Sequence, residues 1–86
     1  MNLPKLVKMG NSLNRVEMEC GTLWFSYQTL VAFFTPKHGL FIRENEWGPT
    51  TGRHMKMIEI ENFVDPAAEP RVEGREFIQL FKKHLG

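Results

Sequence analysis

The stretch from Leu23 to Phe34 limits the fold more than any other part of the chain. It holds five aromatic residues together with the β-branched Thr29 and Val31, a composition that fits the pleated surface of a sheet. Read as one alternating strand, it puts Phe25, Tyr27, Thr29, Val31 and Phe33 on one face. Trp24, Ser26, Gln28, Leu30, Ala32 and Phe34 fall on the other. Neither face is wholly polar, so part of the segment is expected to be covered on both sides. A short helix through Tyr27 to Phe34 is the competing reading of the same residues.

Strands are expected on either side of it. Arg15 to Cys20 alternates polar and apolar, and Gly21-Thr22 offers a tight turn into the next strand. Thr35-Pro36-Lys37-His38-Gly39 is loop chemistry, and Leu40 to Trp47 reads as a further strand pairing antiparallel with the previous one. Residues 1–14 have no clean period. They suit a short edge strand followed by a turn at Gly10-Asn11-Ser12.

Beyond Gly48-Pro49 the pattern changes. Thr50 or Thr51 can cap a helix running to about Glu59, although Gly52 weakens it and Met55 to Ile60 also reads as a strand. Residues 65–70 form an exposed, Pro-rich linker. Over 73–85, Phe77, Leu80, Phe81 and Leu85 share one face of an amphipathic helix. Glu73 and Glu76 near its start and Lys82, Lys83 and His84 near its end suit the helix dipole.

The 86 residues therefore predict one small domain of the α+β class. Its sheet is antiparallel, of three or four strands, with the C-terminal helix on one face. The Phe77/Leu80/Phe81 stripe is expected to meet some of Tyr27, Val31, Phe33 and Ile42.

Composition narrows the function. Eleven Lys plus Arg against ten Asp plus Glu give +1, which speaks against an acidic nucleic-acid mimic and against a strongly basic nucleic-acid binder. The single cysteine, Cys20, allows no internal disulfide and fits a reducing compartment. No apolar run approaches the ~18 residues of a membrane span, and no secretion signal is evident. The expected location is the cytoplasm of a host cell, with no membrane contact.

Catalytic and metal chemistry find little to work with. His38, His54 and His84 lie in separate elements without ligand spacing. Cys20 has no base nearby in the sequence and reads as a small buried apolar residue. The pairs Glu17/Glu19 and Glu59/Glu61 would each share a strand face, an arrangement that a solvated surface produces as readily as a catalytic site. No catalytic residue, metal or cofactor is expected.

The segment Trp47 to His54 is the richest in chemistry. A helix start presents unpaired amides, and Thr50, Thr51, Arg53 and His54 add donors around the small Gly52. Arg43 is expected to lie near this loop. Trp47, Thr50, Thr51, Gly52, Arg53, His54 and Arg43 are thus the candidate partner- or anion-binding residues. The Lys and the spacing of a P-loop are absent. Aromatic residues beside these cations would also allow single-stranded nucleic acid to stack there, and a capped helix of purely structural value is the plain alternative.

Two segments resemble known sequences. Trp24-Phe25-Ser26-Tyr27-Gln28-Thr29-Leu30-Val31-Ala32-Phe33 is similar to a WFSYxTxVAF pattern. Glu44 to Met55 is similar to ENxWSxTTGKHL, with Gly48 in place of Ser and Arg53 in place of Lys. Together they resemble a group of small proteins encoded by bacteriophages and prophages, over about Val16 to Ile58. The resemblance implies an origin and carries no functional residue. Lys8 to Leu13 also resembles the KxGNS opening of swapped-hairpin antitoxin DNA-binding domains. The strand that follows is out of step with that pattern and lacks its proline.

The functional expectation is a non-enzymatic interaction protein of phage type. It would bind, and could inhibit, a host macromolecule such as a defence or transcription component, with a host protein as the expected partner. Nucleic-acid or phosphate binding through the 48–54 loop is the alternative. A homodimer is compatible with the aromatic content.

Overall fold

A computed structural model describes residues 3–10, 12–65 and 67–85. The chain is of the α+β class. Five strands, β1 (Lys5–Gly10), β2 (Leu13–Met18), β3 (Gly21–Ser26), β4 (Thr29–Thr35) and β5 (Gly39–Ile42), form one antiparallel sheet in sequential order. Two helices follow, α1 (Pro49–Glu61) and α2 (Gly74–His84). The sheet has more strands than the three or four expected, because Leu23–Phe34 is not one strand. It folds back on itself as a hairpin.

The hairpin closes where Ser26 pairs with Thr29 around Tyr27-Gln28. Tyr27 takes φ 56°, the left-handed conformation that two-residue hairpin turns demand. No Gly or Asn announces it, so the turn is invisible to local rules. A neighbour fastens it: the Tyr27 amide donates to the Ser12 carbonyl at 2.6 Å. Ser12 itself has φ 65° and belongs to the expected β1–β2 turn, whose Asn11 lies outside the described residues.

Two other boundaries are corrected. The β2–β3 turn is at Glu19-Cys20, so Gly21 opens β3 rather than making the turn. Its missing side chain serves close approach, since a Cβ there would overlap the Phe34 carbonyl oxygen. Cys20 is exposed in that turn, not buried. The strand expected over Leu40 to Trp47 ends at Ile42. Arg43 then forms a parallel bridge with Val72, and Val72 exchanges backbone hydrogen bonds with Ile42 and Glu44. The returning chain covers an edge that would otherwise be open to pairing.

The helices take opposite faces of the sheet. Leu13, Trp24, Ala32 and Ile42 pack with Met55 and Ile58 of α1 in one buried cluster. Val31 joins it because the ladder passes from Trp24–Ala32 to Phe25–Leu30 and skips it, a bulge that re-aims one side chain. On the other face Phe33 meets Phe41 at 5.1 Å, and Phe77 and Phe81 of α2 at 5.3 and 5.6 Å. The expected α2 contact thus holds for Phe33. Val31 and Ile42 serve α1 instead, and Tyr27 projects from its turn. Large side chains closed off in this way contribute about 1.5–3 kcal/mol each.

Segment 49–61 is helical throughout. Its N-cap is Gly48, without a side-chain cap bond, and Pro49 opens the first turn. Pro is pre-set for that position, so the capping role expected of Thr50 or Thr51 is not used. Glu73 caps α2 by accepting from the amides of Arg75 and Glu76. In the linker Asp65 accepts from the amides of Ala67, Ala68 and Glu69, while Pro66 lies outside the described residues. Arg71 closes the linker onto α1 by a two-pronged ion pair with Glu59, at 2.9 and 3.1 Å. No helix among the described residues is long and apolar enough to cross a membrane.

Candidate functional site

The loop from Arg43 to Gly48 carries the chain from the sheet edge to α1, and its shape is set by Asn45. The Asn45 Oδ1 accepts from the Trp47 amide and its Nδ2 donates to the Gly48 carbonyl, each at 3.0 Å. Such a side-chain-closed turn is a property of Asn and Asp. A Cβ on Gly52 would stand 3.0 Å from Asn45 Nδ2, so the glycine of α1 makes room for the turn.

This turn delivers Trp47 to Arg43. The Arg43 guanidinium carbon lies 4.9 Å from the centre of the Trp47 ring and 6.0 Å from that of Phe77. Glu46 accepts from Arg43 Nε at 3.2 Å and from Nη2 at 3.0 Å. Gly74 lets the start of α2 approach, since a Cβ there would fall 2.7 Å from Glu46 Oε2. Arg43 is therefore fixed by a carboxylate and two rings, a cation–π arrangement that holds an otherwise mobile side chain. Trp47 keeps 47% of its surface exposed.

The rest of the predicted site divides in two. Thr50 and Arg53 stay at the start of α1, where Arg53 Nη2 donates to Thr50 Oγ1 at 3.3 Å and Arg53 is exposed. Thr51 and His54 turn inward. The Ser26 hydroxyl lies 3.1 Å from Thr51 Oγ1 and 2.7 Å from His54 Nδ1, and all three residues are buried. Thr51, His54 and Gly52 thus belong to the scaffold. A helix facing a sheet buries its inward side, whatever the polarity of its residues.

A Ser–His hydrogen bond can activate a hydroxyl for attack. Here Ser26 is 2% exposed, and the pair fastens α1 to the β3–β4 hairpin. Tyr27, more than half exposed, stands over it with its ring centre 6.0 Å from that of His54.

The remaining candidates fall elsewhere. Glu59 is buried against Arg71, and Glu61 and Glu17 flank Arg15 at 2.6 and 2.8 Å. Glu17, Glu59 and Glu61 are thus in ion pairs. His38 and His84 stack with ring centres 3.7 Å apart, at the far end of α2. Burial first, then the charges of His38, Lys83 and Lys37, holds His84 below the usual histidine range. Among the described residues no group of three or more His, Cys, Asp or Glu could hold a metal ion.

Sequence reasoning missed Ser26, Asn45 and Glu46. Asn45 was legible in principle, because Asn two residues before a Trp-Gly pair is an Asx-turn signal. Ser26 and Glu46 acquire their partners only across the fold.

The model of a family of unknown function, DUF8033, matches residues 1–78. No curated protein and no solved structure matches the chain.

Proposed function

We propose that this chain, which belongs to the DUF8033 family, is a non-enzymatic interaction protein of phage type. It binds a host protein, such as a defence or transcription component, and inhibits it in the host cytoplasm. The contact surface is the corner formed by Arg43, Trp47, Thr50 and Arg53.

The observation that carries this reading is the Arg43–Trp47 stack, with Arg43 pinned by Glu46 and Trp47 half exposed. Tryptophan and arginine are the residues most often found as energetic anchors of interfaces. A stack already formed in the free protein avoids much of the ordering entropy of binding. Arg53 and Thr50 on the neighbouring helical turn supply polar contacts at the rim.

The test is capture from host lysate on tagged protein, with and without nuclease, comparing the wild type with Trp47→Ala and Arg53→Ala. Circular dichroism checks that each variant is folded. A nuclease-resistant protein partner, lost with Trp47→Ala, supports the reading. Capture unchanged in both variants rejects the surface. Capture that needs nucleic acid and falls steeply with added salt moves the assignment to phosphate contacts at Arg53 and neighbouring cations, because such contacts release counterions.

A further inference from the structure

At the other end of α1 the helix stops in a way that is unfavourable for an isolated chain. The Val64 amide donates to the Glu59 carbonyl and the Phe63 amide to the Ile60 carbonyl, at 2.8 and 3.2 Å. This is a Schellman stop, whose first residue past the cap must be left-handed and is usually Gly. Here that residue is Phe63, at φ 58°, and the residue is 95% exposed. A bulky residue is strained in that conformation, and a solvated phenyl ring adds an unsatisfied apolar surface. Gly would remove both penalties.

Beside the neighbouring Val64 lies a hollow. Ile60 is 66% exposed, and beside it a groove of about 520 Å³ is lined by Ile60, Val64, Pro70, Lys56, Glu59 and Arg71. Ile60, Val64 and Pro70 give it apolar lining, and Lys56 adds a cation beside the Arg71–Glu59 ion pair. Cations at such a position attract the negative face of an aromatic ring. Phe63 directly precedes a residue of the groove, a placement that suits a two-fold dimer, with each copy both giving and receiving the same contact.

We propose that the occupant of this groove is Phe63 of a second copy of the chain. The exposed apolar patch amounts to roughly 400 Å² per copy. With its polar rim, two copies approach the ~1,000 Å² at which specific association begins. The dimer is therefore weak and concentration-dependent. The surface lies at the C-terminal end of α1 and shares no residue with the Trp47 corner, so the two readings stand or fall separately.

Sedimentation equilibrium over roughly 5 µM to 1 mM tests it. The wild type is expected to rise from the 10.0 kDa chain mass toward twice that value. Phe63→Gly is expected to stay monomeric throughout and, at the dilute end, to melt no lower than the wild type. Ile60→Glu, a solvent-facing change to a good helix former, is expected to abolish dimerisation with the helical signal retained. A wild type at monomer mass over the whole range overturns the proposal. So does a dimer that survives both substitutions.

Discussion

Ser26 Oγ on β3 lies 2.7 Å from His54 Nδ1 on α1, and the same hydroxyl lies 3.1 Å from Thr51 Oγ1. One small side chain beside the β3–β4 turn thus serves two positions of the helix that leads out of the Trp47 corner. The bond is internal, so it fixes where Thr50 and Arg53 stand without touching a partner itself.

Ser26→Ala removes the group shared by Thr51 and His54 in a buried setting. The expected loss is about 1–3 kcal/mol, the cost of disturbing buried polar partners. Urea unfolding followed by circular dichroism measures it.

Gly74→Ala separates anchoring from stability. The new Cβ would crowd the Glu46 carboxylate and the Arg43 guanidinium, which are side-chain ends able to move. The expected stability loss is below about 1 kcal/mol, with a change in Trp47 emission as Arg43 shifts. Gly21→Ala meets the Phe34 carbonyl instead. Backbone within a paired strand cannot yield as easily, so about 3 kcal/mol is expected. Comparing the two variants by denaturant midpoint and tryptophan fluorescence checks both statements.

Arg71→Met leaves the Glu59 carboxylate, 4% exposed, without its guanidinium. The expected cost is about 2–3 kcal/mol, less than for a fully buried pair because Arg71 is partly solvated. Adding Glu59→Leu should recover most of it, since the lone charge is then removed. A double-mutant cycle in urea reads the coupling.

Stability is expected to fall on acidification through His84. Its folded-state pKa lies below the ordinary value of 6.5, so between those two values the unfolded chain binds the extra proton. Unfolding is therefore favoured as pH drops below about 6.5, and this contribution levels off beneath the folded-state value. Burial beside Phe41 and the cations His38, Lys83 and Lys37 is the cause. Urea midpoints from pH 8 to pH 5 should decline in the wild type and decline less in His84→Gln.

Local pattern was enough for several features. Apolar residues at helical spacing defined α2, because Phe77 and Phe81 repeat on one side of a helix whatever it packs against. The α+β class and the antiparallel pairing followed from alternation and turn chemistry. The same pattern misjudged Leu23–Phe34, where nothing in Tyr27-Gln28 signals a turn. The left-handed Tyr27 is held by the carbonyl of Ser12, a residue far away in sequence. It also marked Arg43, Trp47, Thr50, Thr51, Gly52, Arg53 and His54 as one polar cluster.

Which of those seven residues stay outside was decided by the tertiary structure alone. Polarity is a property of a residue, but burial is a property of its direction. The approach of α1 to the sheet turned Thr51 and His54 toward Ser26, and the Asn45 turn left Trp47 at the surface over Arg43. The sequence alone determined which polar and aromatic groups the 43–54 segment carries; the packing of one helix on five strands decided which of them face solvent.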